Sequence, residues 1–239
     1  MRIPAYRTLR FGHDLLHAAE SVSTDWVGQA WEQAARTERR GITVLLLPGG
    51  AGAILKVYRL RPRHGYWRRL RASRAVLEGA GYRAFRARGI PTPSLLFYGE
   101  RRRFGLWEFG AVATARVDAR SVSEAFSLDR DEGLLMEAAS VLADVHRAEL
   151  IHGDPRLRNF LATRPRPMPF DLPSWGPLTG SSQIGDLVRF LGSTLVLSGD
   201  EALTREVLDE YLREGPRPSA DVGSILEAAA TYAVEKGVP

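Results

Sequence analysis

The chain has 239 residues, 44% of them hydrophobic and 26% charged, with a formal net charge of +5. That suits a soluble globular protein, long enough for one large domain or two small lobes. The absence of cysteine excludes disulfides and thiolate zinc sites, and none of the five histidines falls in a His-Glu-x-x-His pattern. Residues 1–21 carry no continuous apolar run of the secretory type, and no run elsewhere is long enough to span a bilayer, so the sequence reads as cytoplasmic.

The positive charge points to an anionic partner: a nucleotide, a phosphorylated sugar, nucleic acid or an acidic membrane. Of the 33 basic residues only Lys56 and Lys236 are lysine. A compact ammonium at position 56, inside an apolar segment of an otherwise arginine-using chain, suggests a point-charge task.

In chain order, ITVLLL (42–47) and AILKVY (53–58) predict two strands around a turn at PGGAG (48–52). The turn lacks the Gly-Lys-Ser/Thr ending of a phosphate loop, so a hairpin is expected. On the second strand Ile54, Lys56 and Tyr58 share one face, and Leu55 and Val57 the other. Residues 61–74 are strongly basic, and a helix is expected over about 70–88 despite Gly79 and Gly81, which each cost it about 1 kcal/mol. GIPTP (89–93) ends it. LLFY (95–98) and FGLWEF (104–109) read as strands, with RRR (101–103) as the turn between them.

After about residue 120 the pattern changes. Leu134, Leu135, Ala138, Val141, Leu142 and Val145 recur at helical spacing, and further helices are expected at about 185–198 and around Leu203–Leu212 and Val222–Ala233. A proline-rich loop fills about 153–183. The whole predicts an α+β chain, sheet-rich at 1–110 and helical at 111–239.

Between two apolar runs lies LIHGDPRLRNFLA (150–162). An aspartate, four residues and an asparagine is the spacing of a phosphotransfer loop. The acid can take a proton from an acceptor hydroxyl, and the amide can turn back to a metal on the nucleotide phosphates. Twelve positions after Asn159 comes Asp171, in Pro-Phe-Asp-Leu; a second acid there can return on a hairpin to the same metal. Upstream, Glu78 follows Lys56 by twenty-two positions and can pair with it from the helix.

These residues, with WRRLRASRA, GIPTP and IGDLVRFLGS, resemble the protein-kinase-like superfamily over about residues 42–198, most closely the bacterial lipopolysaccharide kinases that phosphorylate heptose or Kdo. The resemblance implies a bilobal fold and the use of ATP and magnesium. Lys56 would hold the α- and β-phosphates and Glu78 would orient it. Asp154 would be the base, Asn159 and Asp171 the magnesium ligands, and Asp186 a buried brace for the loop. Glu108 through Gly110 would form the hinge beside adenine. Apart from the resemblance, Arg156 and Arg158 inside the loop are candidates for contacts to the acceptor or to phosphate.

The chain departs from the family in three places. No Gly-x-Gly-x-x-Gly precedes Lys56; the metal motif is Phe-Asp-Leu rather than Asp-Phe-Gly; and Pro155 follows the catalytic acid. Only fifteen positions separate Asp171 from Asp186, and no Ala-Pro-Glu follows, which favours a sugar or glycolipid acceptor over a protein. Two alternatives remain: a protein serine/threonine kinase, and a catalytically silent binding protein with a kinase fold. The arginines of 61–74, with Tyr66 and Trp67, suit an anionic glycolipid or peripheral contact with the cytoplasmic face of the inner membrane. No nucleic-acid-binding motif accompanies the charge.

Overall fold

A computed structural model describes residues 5–38, 40–59 and 70–236. The chain divides into two compact units, residues 1–89 with 93–117, and residues 90–92 with 118–239. Most of the basic segment at 61–74, including Arg63, Arg68, Arg69, Tyr66 and Trp67, lies outside the described residues.

The first unit is built on a six-stranded antiparallel sheet of order β1-β2-β5-β6-β4-β3. Its strands are β1 (Tyr6–Phe11), β2 (Asp14–Ala19), β3 (Gly41–Leu46), β4 (Gly52–Arg59), β5 (Leu95–Arg103) and β6 (Leu106–Ala115). Helix α1 (Thr24–Arg36) lays Trp26, Val27, Ala30, Trp31 and Ala34 against one sheet face, where Leu55, Val57, Phe97 and Phe109 complete a core. The Trp31 ring sits 4.7 Å from that of Phe109, and its indole N–H donates to the buried Asp14 at 2.8 Å.

Helix α2 (Arg74–Ala87) covers the other face. Ser73 caps it, its hydroxyl accepting from Val76 N at 3.3 Å, a contact worth about 1 kcal/mol. Two glycines let the helix sit close. A Cβ on Gly79 would stand 2.2 Å from the Tyr98 ring, and one on Gly110 would stand 2.5 Å from the Ser73 hydroxyl. The helix-propensity cost of Gly79 is thus offset by packing.

Several sequence expectations change here. Lys56 lies on the fourth strand, because the β1–β2 hairpin precedes the β3–β4 pair read from the sequence. Where a glycine-rich loop is missing ahead of Lys56, residues 24–36 form α1. The arginines 101–103 finish strand β5 instead of turning; the turn is Phe104-Gly105, both at positive φ. Arg101 stays in the strand with its guanidinium on Asp14 at 2.6 Å.

The second unit is helical. It comprises α3 (Val122–Asp129), α4 (Glu132–Arg147), α5 (Gly180–Ser198), α6 (Glu201–Glu214) and α7 (Val222–Glu235). Its core joins Leu135, Leu142, Phe160, Leu187, Phe190, Val207, Leu208 and Ile225. The span read as one loop, 153–183, holds a 3₁₀ turn (Leu157–Asn159) and the short strands β8 (Phe160–Leu161), β9 (Met168–Pro169) and β10 (Gly176–Pro177). β8 pairs with β9, and β10 pairs with β7 (Leu150–Ile151). Among the described residues no helix is long and apolar enough to cross a membrane.

Candidate active site

In the first unit, strand alternation puts Ala53, Leu55 and Val57 into the α1 core and turns Lys56 to the opposite face. There Lys56 Nζ donates to Glu78 Oε1 at 2.9 Å. Glu78 is fully buried, so its charge must be met locally. Tyr58 donates to its Oε2 at 2.5 Å and Tyr82 to Oε1 at 3.4 Å. The Lys56 side chain keeps 14% of its surface exposed. On the edge strand β3, Ile42 and Val44 are paired with Lys56 and Ile54, and with Leu46 they form an exposed apolar row.

Glu108 and Gly110, expected at a hinge, lie inside β6, with Gly110 opposite Tyr58 and Phe109 opposite Arg59. The chain leaves the first unit only after Val117, beyond the end of β6. The hinge reading stopped the strand at residue 109, whereas the apolar run Ala111–Val112–Ala113 extends it.

In the second unit, the loop after β7 turns at Gly153, whose φ is 81°. A Cβ there would fall 2.0 Å from Ser174 O, so the position accepts only glycine. Asp154 follows. Arg156 Nε donates to its Oδ1 at 2.6 Å and Nη2 to its Oδ2 at 2.5 Å. This bidentate pair raises the pKa of Arg156. Asn159 closes the turn, its amide donating to Asp154 O at 2.8 Å and to Oδ2 at 3.3 Å. The amide N–H₂ is thereby engaged on Asp154, and the residue is only 5% exposed.

The β8–β9 ladder brings the next acid back. Phe170 N donates to Asn159 O at 3.0 Å, and Asp171 follows in the left-handed region at φ 60°. Such a backbone is uncommon for a non-glycine residue. The Asp171 charge acts on both His152 and Arg156.

Asp186, fully buried on α5, holds the loop from beneath. Its carboxylate accepts from His152 N at 2.8 Å and Gly153 N at 3.0 Å. His146 Nε2 lies 3.3 Å from the same carboxylate, and His146 Nδ1 lies 2.7 Å from Tyr211 OH. Gln183 donates to that hydroxyl at 2.8 Å. With the His146 proton on Nε2, Gln183 donates to Tyr211, Tyr211 to His146 and His146 to the Asp186 carboxylate. Burial pushes the Tyr211 phenol up to about 12. His146 and Tyr211 were missed as site support; each reads in the sequence as one more residue on an amphipathic helix.

The helical unit thus gathers Asp154, Arg156, Asn159 and Asp171 on one braced loop and hairpin, and the sheet unit pairs Lys56 with Glu78. Arg158 is exposed on the 3₁₀ turn, without an ion pair among the described residues. Among the described residues no three histidine, cysteine, aspartate or glutamate side chains cluster as a metal centre.

This architecture, an antiparallel sheet with a lysine–glutamate pair and a helical unit with an aspartate–asparagine loop, is the protein-kinase-like fold. Among solved structures, WaaP in complex with acyl carrier protein matches at a TM-score of 0.65 and 22% identity, over 92% of this chain and 98% of that one. The amicoumacin kinase hAmiN, in complex with AMP-PNP, Ca2+ and Ami, matches at 0.58 and 12%, over 98% and 81%. The aminoglycoside-3'-phosphotransferase of type VIII matches at 0.58 and 14%, over 87% and 97%. No protein-family model and no curated protein sequence matches the chain.

Proposed function

We propose that the protein is an ATP-dependent phosphotransferase that moves the γ-phosphate to a sugar hydroxyl, on a lipopolysaccharide core or related glycolipid. The observation that carries this reading is the Asp154–Asn159–Asp171 arrangement on a loop fixed by the buried Asp186. An enzyme of this kind works by positioning and electrostatics, and a rigid, braced loop supplies both.

Asp154 acts as the base. It accepts the acceptor hydroxyl proton on a carboxylate oxygen as the new O–P bond forms and the bond to the β-phosphate oxygen breaks. For this, Arg156 releases one of the two oxygens it holds, and its charge turns to the phosphoryl oxygens. Lys56, oriented by Glu78, pairs with the α- and β-phosphates. The exposed row Ile42, Val44 and Leu46, beside Lys56, offers an apolar platform for the base where a glycine-rich loop is missing. Magnesium would be held by Asn159 Oδ1, which the amide's own hydrogen bonds to Asp154 leave at the loop, and by the Asp171 carboxylate; oxygen ligands of this kind suit it. When bound it neutralises charge on the phosphate oxygens.

The short Asp171–Asp186 interval is taken up by β10 and the start of α5, which supports a small acceptor rather than a docked peptide. One observation favours the silent-scaffold alternative: Arg156 occupies both oxygens of the candidate base. Calorimetry with ATP and magnesium decides between them. The phosphotransferase reading expects magnesium-dependent binding that Asp171→Ala weakens; no binding by the intact chain hands the case to the scaffold.

A further inference from the structure

Beside the catalytic loop, and wholly within the helical unit, lies a pocket of about 270 Å³ lined in part by Arg156, Arg158, Val196, Leu197, Tyr232 and Lys236. Its lining combines apolar side chains with three cationic ones, Arg156, Arg158 and Lys236. Arg158 and Lys236 come from different elements, the 3₁₀ turn and the end of α7, and neither meets a carboxylate among the described residues. Lys236 stands 5.6 Å above the Tyr232 ring. A lysine at a helix C-terminus is favoured by the helix dipole alone; that preference does not account for two further cations converging on the same cavity.

The pocket is preformed. Ser193, another of its lining residues, accepts from Leu157 N at 3.1 Å and donates to Phe190 O at 2.8 Å, which pins the 3₁₀ turn to α5. A Cβ on Gly192 would fall 2.5 Å from the Tyr232 ring, so the missing side chain seats that ring against α5. The volume lies just below the usual range for ligand sites, and suits one sugar ring rather than a chain. Guanidinium groups favour oxyanions, and an aromatic ring beside them favours the apolar face of a sugar.

We propose that this pocket binds a sugar bearing an oxyanion, phosphate or carboxylate, and holds it next to Asp154. The proposal rests on the phosphotransferase reading in taking this sugar as the acceptor, so that the acceptor is already anionic before transfer.

The test is calorimetry on the full chain with glucose 6-phosphate, glucuronate and glucose as probes, alongside ATP with magnesium. Glucose 6-phosphate or glucuronate should bind and glucose should not, and the stronger of the two tells which oxyanion is preferred. Arg158→Gln and Lys236→Gln should each weaken that binding about tenfold, the loss of one charge-assisted hydrogen bond, and leave ATP binding unchanged. Gly192→Ala, which displaces Tyr232, should weaken the sugar probes more than inorganic phosphate. If neither anionic sugar binds, or both variants bind it as the wild type does, the pocket assignment is wrong even where ATP binds. If the sugars bind as expected and ATP does not, the pocket stands and the phosphotransferase reading falls.

Discussion

Asp154 and Asp171 are both carboxylates on the same loop system, and the proposed phosphotransfer gives them different work. Asp154 is held by Arg156 and touched by Asn159, so its oxygens are presented at a fixed place. Asp171 is fixed by its backbone, at φ 60° directly after the hydrogen bond from Phe170 to Asn159. Removing a base lowers the chemical step, typically by about 10²–10⁴-fold, without loosening the nucleotide. Asp154→Ala should therefore abolish transfer to the acceptor while ATP binding persists, and Asp171→Ala should chiefly weaken magnesium-dependent ATP binding. Turnover and calorimetry on the same preparations check the split; an Asp154→Ala protein with wild-type turnover would contradict the assignment. Neighbouring His152 gives a second expectation. It is fully buried, and desolvation lowers its pKa against the opposing pull of Asp186, Asp154 and Asp171. The unfolded chain takes up this proton near pH 6.5, and the folded one only at lower pH. Stability from His152 is thus present above pH 6.5 and lost as pH falls below it. Urea unfolding at pH 7.5 and pH 5 should show a smaller acid loss for His152→Gln than for the wild type; equal losses would mean that His152 is not the group responsible.

At the scale of elements, strand β4 and helix α2 are tied through one buried carboxylate. Glu78 has no water to solvate it, and its partners are Lys56, Tyr58 and Tyr82. Taking away the cation alone leaves a buried charge on hydroxyls, which costs about 3–5 kcal/mol, whereas replacing both partners by apolar groups can be close to neutral. Lys56→Met should lower the unfolding midpoint sharply, and Lys56→Met with Glu78→Leu should regain most of the loss. Equal stability of the single and double variants would argue against a buried ion pair. Lys56 and Glu78 were readable as a pair because alternation on a strand and the position of the next helix are local properties. The extent of β6 was not, because a strand's end depends on its neighbours: Ala111–Ala113 continue the strand only because β4 and β5 flank them. For the same reason the β1–β2 hairpin escaped notice. β2 is held by Tyr98 and Phe97 of β5, far along the chain.

Across the whole molecule, the legible parts were those whose chemistry sits in one short segment, such as HGDPRLRN, and the hidden parts were those assembled from distant ones, such as the Gln183–Tyr211–His146–Asp186 relay. The acceptor is a whole-molecule question too, since it depends on net charge as well as on the pocket. The chain carries +5, with arginine in nearly every basic position. Exposed charges act on a glycolipid surface over about 8–10 Å at physiological ionic strength and are screened beyond it. If the acceptor is an anionic glycolipid, binding to vesicles carrying it should fall as salt rises. Reversing Arg68, Arg69 and Arg71 to glutamate should weaken it further without touching ATP binding, because these residues belong to the basic stretch and not to the phosphotransfer motifs. Deleting the gene in its host and weighing the core oligosaccharide by mass spectrometry then addresses the product directly. Loss of one phosphate from the core is the expected result. A core that keeps every phosphate, with ATP still bound by the purified chain, would move the acceptor to a soluble anionic sugar of the kind the helical unit's pocket is shaped to take.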